Sequence, residues 1–326
     1  MTTSSPVIIK AMSDIATRLT VSPPPHWRSG RTVQRMMVHH LLALLPAAIM
    51  GVLYFGFDAA RVMTLAGMVA VLTEVACQKL MGRDIDVDNF NALYAGVLFA
   101  FLLPATASWW FVTMGAGITI VLGRTVFGGF GSNPVCAPLV AWAVCRLSWP
   151  SAVDIDLNMA HSLMNYPPDQ LKHFGLQALY QFNYTDLLLG KQLGGLGASQ
   201  VLALLAGGIY LLATGWIRAY IPAAFLAGVV GLSGIFWMID PGAYADPAFH
   251  LLTGSTIFGA FFLATDAASS PVGRLPQVLF GLIAGMMVIT IRVYGVYPDG
   301  VPFAIMVANL LTPLLDRIRP KPFGGR

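Results

Sequence analysis

Ten apolar runs, separated by short polar stretches, follow one another along the chain at 36–57, 62–81, 91–105, 109–125, 134–149, 200–217, 219–239, 249–265, 275–293 and 300–315. Each is near the length of about 20 residues that a helix needs to cross a bilayer. The expected fold class is therefore an all-α polytopic membrane protein with about ten transmembrane helices. Only 10% of the residues are charged and mean hydropathy is +0.71, whereas a soluble domain carries roughly 25% charged residues. The third and fourth runs are short and rich in Gly or flanked by Pro, so tilted or broken helices are expected there.

Positive charge sets the expected orientation. With the N-terminus in the cytoplasm, fourteen of the nineteen Lys and Arg residues fall on the cytoplasmic side, among them Lys10, Arg18, Arg28, Lys79, Arg83, Arg124, Arg319, Lys321 and Arg326. The other side holds Arg61, Arg146, Lys172, Lys191 and Arg292. The positive-inside rule then places both termini in the cytoplasm. Residues 1–35 read as a cytoplasmic tail without a signal peptide, 36–149 and 200–316 as two five-helix repeats, 150–199 as an outward (periplasmic) loop and 317–326 as a cytoplasmic tail. The loop carries Asp154, Asp156, His161, Asp169, Asp186 and the run Gly190 to Gly197.

Two matches across that loop suggest duplication. AFLLPATAS (100–108) recurs as AFFLATDAAS (260–269), and Pro134-x-x-x-Pro138 recurs as Pro298-x-x-x-Pro302. Arg124 and Arg292 each precede a Gly/aromatic turn ahead of those prolines. A repeat after five spans inverts the second half, and inverted repeats place polar sites where broken helices of the two halves meet.

The chemistry-bearing residues are few. The stretch 253–276 combines small residues with Thr253, Ser255, Thr256, Thr265 and Asp266, and a carboxylate at the end of an apolar span needs a partner. Glu74, the only glutamate, lies inside the second run; it is a candidate for ion handling, or a structural partner of Lys79. Asp266, Asp299 and Asp316 sit at run ends, as caps or as cation ligands. GGFGSN and GKQLGGLG match neither a dinucleotide fingerprint nor a phosphate loop. The slight basic excess lies in loops and points to membrane orientation, with no nucleic acid as partner. Cys77, Cys136 and Cys145 read as buried thiols, His39-His40 as helix-end polar groups, and Trp109, Trp110, Trp142, Trp149 and Trp216 as an interfacial belt.

The segments GRTVQRMM, FGGFGSNPVCAPLVAWAV, TGSTIFGAFFLATDAASSP and YGVYPDGVPFAIMVANLLTPLLD resemble the RnfD/NqrB family of membrane subunits, on its RnfD (RsxD) side, over 28–322. The resemblance implies a ten-helix flavoprotein subunit of an Rnf complex. That complex couples electron transfer between ferredoxin and NAD to sodium or proton translocation, with other membrane and soluble subunits, including flavin and iron-sulfur subunits, as partners. This chain would be one part of the translocase, without catalysis of its own when isolated. The family attaches FMN to a threonine in the outward loop; here Tyr166 stands at that place, before Pro167. The implied cofactor is then noncovalent FMN, or riboflavin, or no flavin at that position. The flavin-binding candidates are Arg124, Asn133, Tyr166, Thr253, Ser255, Thr256, Thr265, Asp266 and Arg292; the ion-path candidates are Glu74, Asp266 and Asp299. A channel or secondary transporter for a small polar solute is the rival reading from topology alone, and a scaffold for partner subunits is a third.

Overall fold

The computed structural model describes residues 31–155 and 165–318. Asp156 and His161 of the long loop, and most of both tails with Lys10, Arg18, Arg28, Arg319, Lys321 and Arg326, lie outside the described residues. No strand occurs among the described residues. The main helices are α1 (Val33–Phe55), α2 (Phe57–Leu80), α3 (Asn91–Phe101), α4 (Trp109–Val121), α5 (Ala137–Ser148), α6 (Pro167–Phe174), α7 (Val201–Ala213), α8 (Tyr220–Ile239), α9 (Pro247–Leu252), α10 (Arg274–Tyr294) and α11 (Val301–Leu315). Among the described residues, five segments are long and apolar enough to cross a membrane: α1, α2, α4 with the turn that continues it to Phe127, α8 and α10. Helices α3, α5, α7 and α11 are shorter and apolar.

Helix starts follow local chemistry. Pro occupies the first turn of α5, α6, α9 and α11, where its missing N–H is one that a helix leaves unpaired anyway. Asp246 caps α9, its Oδ1 accepting from Phe249 N at 3.2 Å. The eighth apolar run is not one helix. It is α9, a turn over Thr253–Ser255 in which Gly254 has φ +64°, a helical turn Thr256–Phe258, and a π-helical turn Gly259–Leu263. The last is closed by Ala264 N donating to Gly259 O at 2.8 Å. The third run also stops early: α3 ends at Phe101, its last carbonyls accept from Leu102 and Leu103, and Pro104 follows.

Helices α8 and α10 pack closely. A Cβ placed on Gly285 would lie 2.1 Å from Phe225 O, so only glycine lets the two backbones meet there. The centre of the molecule is apolar: Phe99, Phe101, Phe258 and Phe262 are fully buried, and the Phe101 and Phe258 rings are 5.7 Å apart. The glycine-rich 190–197 segment folds back onto this core, with Leu196 N donating to Leu103 O at 2.8 Å and Leu193 and Leu196 buried.

Candidate functional site

The residues singled out from the sequence assemble into two polar clusters at different ends of the bundle, separated by the phenylalanine core. Thr265, one of them, spends its hydroxyl on its own turn, donating to Phe261 O at 2.6 Å.

The first cluster surrounds Asp266. Its Oδ2 accepts from Ser269 Oγ at 2.8 Å and from Asn133 Nδ2 at 3.4 Å; Asn133 also donates to Val135 O at 3.0 Å. Arg124, just past α4 and 3% exposed, approaches Glu74 of α2 with 3.5 Å between Nη1 and Oε2. Gln78 donates to the other Glu74 oxygen at 3.0 Å. Glu74 thus meets Arg124 and not Lys79, which is exposed. The Arg124 guanidinium lies over the Phe130 ring at 5.5 Å. Both of its terminal nitrogens are buried without a hydrogen-bond acceptor.

Two cavities open onto this cluster. One, of about 250 Å³, is lined by Asn91, Tyr94, Arg124, Phe130, Asn133 and Asp266. The other, of about 260 Å³, is lined by His40, Tyr94, Trp216, Arg218, Thr265 and Asp266. Met37, Tyr94, Asp266 and Ala267 are walls to both. His40 is buried and bonds Met36 O at 2.8 Å, while His39 meets the Tyr210 hydroxyl at 2.6 Å.

The second cluster is built on Arg292, near the end of α10 and 8% exposed. Its Nη2 donates to Thr253 O at 3.0 Å, Thr256 Oγ1 at 2.9 Å and Asp299 Oδ1 at 3.2 Å, and its Nη1 donates to His250 O at 2.8 Å. Asp299 Oδ2 accepts from Ser255 N at 2.9 Å and from the Ser255 hydroxyl. The break at Gly254 turns the Ser255 N–H and hydroxyl to Asp299; a Cβ at Gly254 would lie 2.6 Å from Arg292 Nη2. Thr253 and Thr256 hydroxyls donate to Phe249 O at 2.8 Å and His250 O at 2.9 Å. Tyr166 is buried and lines a chamber of about 60 Å³ with Asp154, Asp169, Ser255 and Asp299. From α6, Lys172 donates to the carbonyls of Gly295 and Tyr297. Burial lowers the pKa of its ammonium, and Asp169 opposes that shift.

Gln78, Ser269, His250 and Lys172 are partners that sequence reasoning does not single out as site residues. Ser269, three residues past Asp266, is the one with a sequence signal. Trp142 is not part of an interfacial belt: it is buried and packs on Phe303 at 5.1 Å. Trp109 is 69% exposed and fits that role. Cys136 and Cys145 are buried free thiols, and Cys77 is half-buried.

The model of the NQR2, RnfD, RnfE family matches residues 20–324. Among curated relatives, the chain is 34% identical to the D component of the Na(+)-translocating ferredoxin:NAD(+) oxidoreductase complex of Acetobacterium woodii, over 92% of this chain and 93% of that one. It is 30% identical to the D component of the ion-translocating oxidoreductase complex of Pectobacterium carotovorum subsp. carotovorum, over 96% and 100% of the two chains. The corresponding protein of Yersinia pseudotuberculosis is 31% identical, over 94% and 99%.

Proposed function

This chain belongs to the NQR2, RnfD, RnfE family, and on that premise we propose that it is a flavin-carrying membrane subunit of an Rnf-type complex that couples electron transfer between ferredoxin and NAD to sodium or proton translocation. The end-to-end match to relatives named as the D component of such complexes supports the role. The other subunits are its partners, and no complete reaction belongs to this chain alone.

The single observation that carries the flavin reading is Arg124: a buried guanidinium with two terminal nitrogens lacking acceptors, beside paired cavities walled by Tyr94, Phe130 and Trp216. Each cavity approaches the range of about 300–1,000 Å³ typical of small-molecule sites, and together they suit a flat aromatic ring system. The Tyr166 chamber does not fit the group. About 60 Å³ holds roughly two waters, and the hydroxyls of Thr253, Ser255 and Thr256 are already engaged. Bound in the Asp266 cluster, FMN or riboflavin would supply one- and two-electron transfer. Arg124 and Asn133 would hold its polar edge, and the aromatic walls would keep water away.

The order of elements in 33–148 and 201–315 runs parallel: long or apolar helix, long helix, short broken helix, long helix, short apolar helix. This supports ten spans in two inverted five-helix repeats; the Lys and Arg distribution favours 150–199 as periplasmic and the two tails (1–35 and 317–326) as cytoplasmic, and the bacterial relatives favour the bacterial inner membrane as host. The ion path is assigned to Glu74 and Asp266 at the cytoplasmic end and Asp299 at the other. Phe101 and Phe258 stand between these ends, so passage requires their displacement.

Acid precipitation of the purified complex tests the attachment: all flavin assigned to this chain is released. Arg124→Leu and Asn133→Ala lower flavin bound per chain, read by absorbance, while Ser255→Ala does not. Retention of flavin on the denatured chain, or full occupancy in the Arg124 variant, overturns the assignment. Solute uptake by the isolated chain in flavin-free liposomes would favour a transporter instead.

A further inference from the structure

Beside the Tyr166 chamber lies a second cavity at the Asp299 end, of about 240 Å³, between α6, α9 and the end of α10. The two chambers share Pro298 as a wall but differ in charge. Asp154, Asp169 and Asp299 face the smaller one. The larger is lined by Lys172, His250 and Arg292, and among the described residues no carboxylate lines it.

Two of these three side chains carry a buried polar nitrogen that the protein leaves unpartnered. Arg292 satisfies its two terminal nitrogens on His250 O, Thr253 O, Thr256 and Asp299, yet its Nε is buried without an acceptor. His250, only 4% exposed, has a buried Nδ1 without a partner. A buried polar nitrogen without a partner is costly, and here two of them belong to residues that line one cavity. Lys172 contributes a cation whose bonds go to neutral carbonyls. Thr253 and Tyr244 add hydroxyls to the wall, and Leu171, Phe249 and Val293 add apolar surface.

We infer that this cavity is an oxyanion site, taking the carboxylate or phosphate head of a small solute between Arg292 Nε, the His250 ring in its Nδ1–H tautomer and the Lys172 ammonium. A planar or tetrahedral oxygen anion supplies the acceptors both nitrogens lack, and charge-assisted bonds in a largely desolvated cavity are the strong ones. The site is separate from the Arg124 and Asp266 cavities, so it stands or falls independently of the flavin reading.

The test uses the full chain, in its purified complex, titrated with sodium phosphate and with sodium acetate against sodium chloride at matched ionic strength, and followed by calorimetry and by the unfolding midpoint of this chain. The expected result is saturable binding of at least one of the two oxyanions, with chloride showing none. Phosphate alone marks a phosphate head and acetate alone a carboxylate head; both support the inference. Lys172→Met and His250→Phe each weaken binding by about tenfold, the loss of one charge-assisted contact, and remain monodisperse on gel filtration. His250→Gln, which keeps a donor, retains part of the affinity. Absence of saturable binding by either anion, or binding unchanged in both Lys172→Met and His250→Phe, overturns the inference.

Discussion

Arg124 and Arg292 solve one problem in two ways. Each is a permanent charge taken out of water, which is tolerated only with a compensating partner. Arg292 has a short acid on the adjoining turn and four acceptors in all; Arg124 relies on the distant Glu74 and on the field of Asp266. Glu74→Ala is therefore expected to destabilise the protein by roughly 3 kcal/mol, because it leaves the guanidinium exposed to hydrocarbon. The double variant Glu74→Ala with Arg124→Met recovers much of that loss; a thermal or detergent unfolding series on the four proteins of the cycle measures the coupling. Both arginines are legible in the sequence, since each closes an apolar run ahead of a Gly/aromatic turn and a Pro-x-x-x-Pro pair. Their acids are not equally so. Asp299 lies a short way along the chain, whereas Glu74 is brought to Arg124 only by the packing of α2 on α4, and Lys79 is its nearer neighbour in sequence.

At the level of elements, glycine decides which helices touch. Gly285→Val is expected to cost about 2 kcal/mol through overpacking between α8 and α10, while the same change at Gly231, where a Cβ meets nothing within 4 Å, is expected to cost far less. Unfolding midpoints of the two variants decide the matter. Gly254→Ala carries a different penalty, about 1–2 kcal/mol for the left-handed backbone, and its added carbon displaces Arg292 or Asp299. It should loosen the Ser255–Asp299 contact, readable as faster hydrogen exchange at the Ser255 amide. The five long apolar helices are legible because burial in lipid imposes a length. The break in the eighth run is less so: TGST is a short stretch of small residues inside an apolar run, and only the pairing of Arg292 and Asp299 with the freed backbone of 253–255 makes an unwound turn stable there.

Within the helical unit that begins at Gln34, the described residues are polar at both ends with phenylalanine between them. From sequence alone the polar residues of the two halves belong to one site, with Arg124, Thr253, Asp266 and Arg292 in a single neighbourhood. Three-dimensional packing divides them, since the hydroxyls before Gly259 and the carboxylate after Leu263 sit at opposite ends of one crossing segment. The proposed topology makes those ends face different compartments. Single cysteines at Lys79 and Val296, in an otherwise cysteine-free chain, should be labelled by an impermeant thiol reagent from opposite sides of sealed vesicles. Labelling of both from the same side would remove the inverted arrangement and the ion path drawn through it.

The wide turn between Gly259 and Leu263 sets the phase between these ends. A bond spanning five residues holds one residue more than an α-helical turn would, so everything after it is rotated by about 100° from where a regular helix would aim it. Asp266 faces Asn133 and Ser269 under that offset. Removing one residue from 259–263 would leave the composition of the segment nearly intact and still swing the carboxylate around the axis, away from Arg124 and toward a different neighbour. The segment thus behaves as a gear tooth, and evolution could retarget this acid by gaining or losing a single codon.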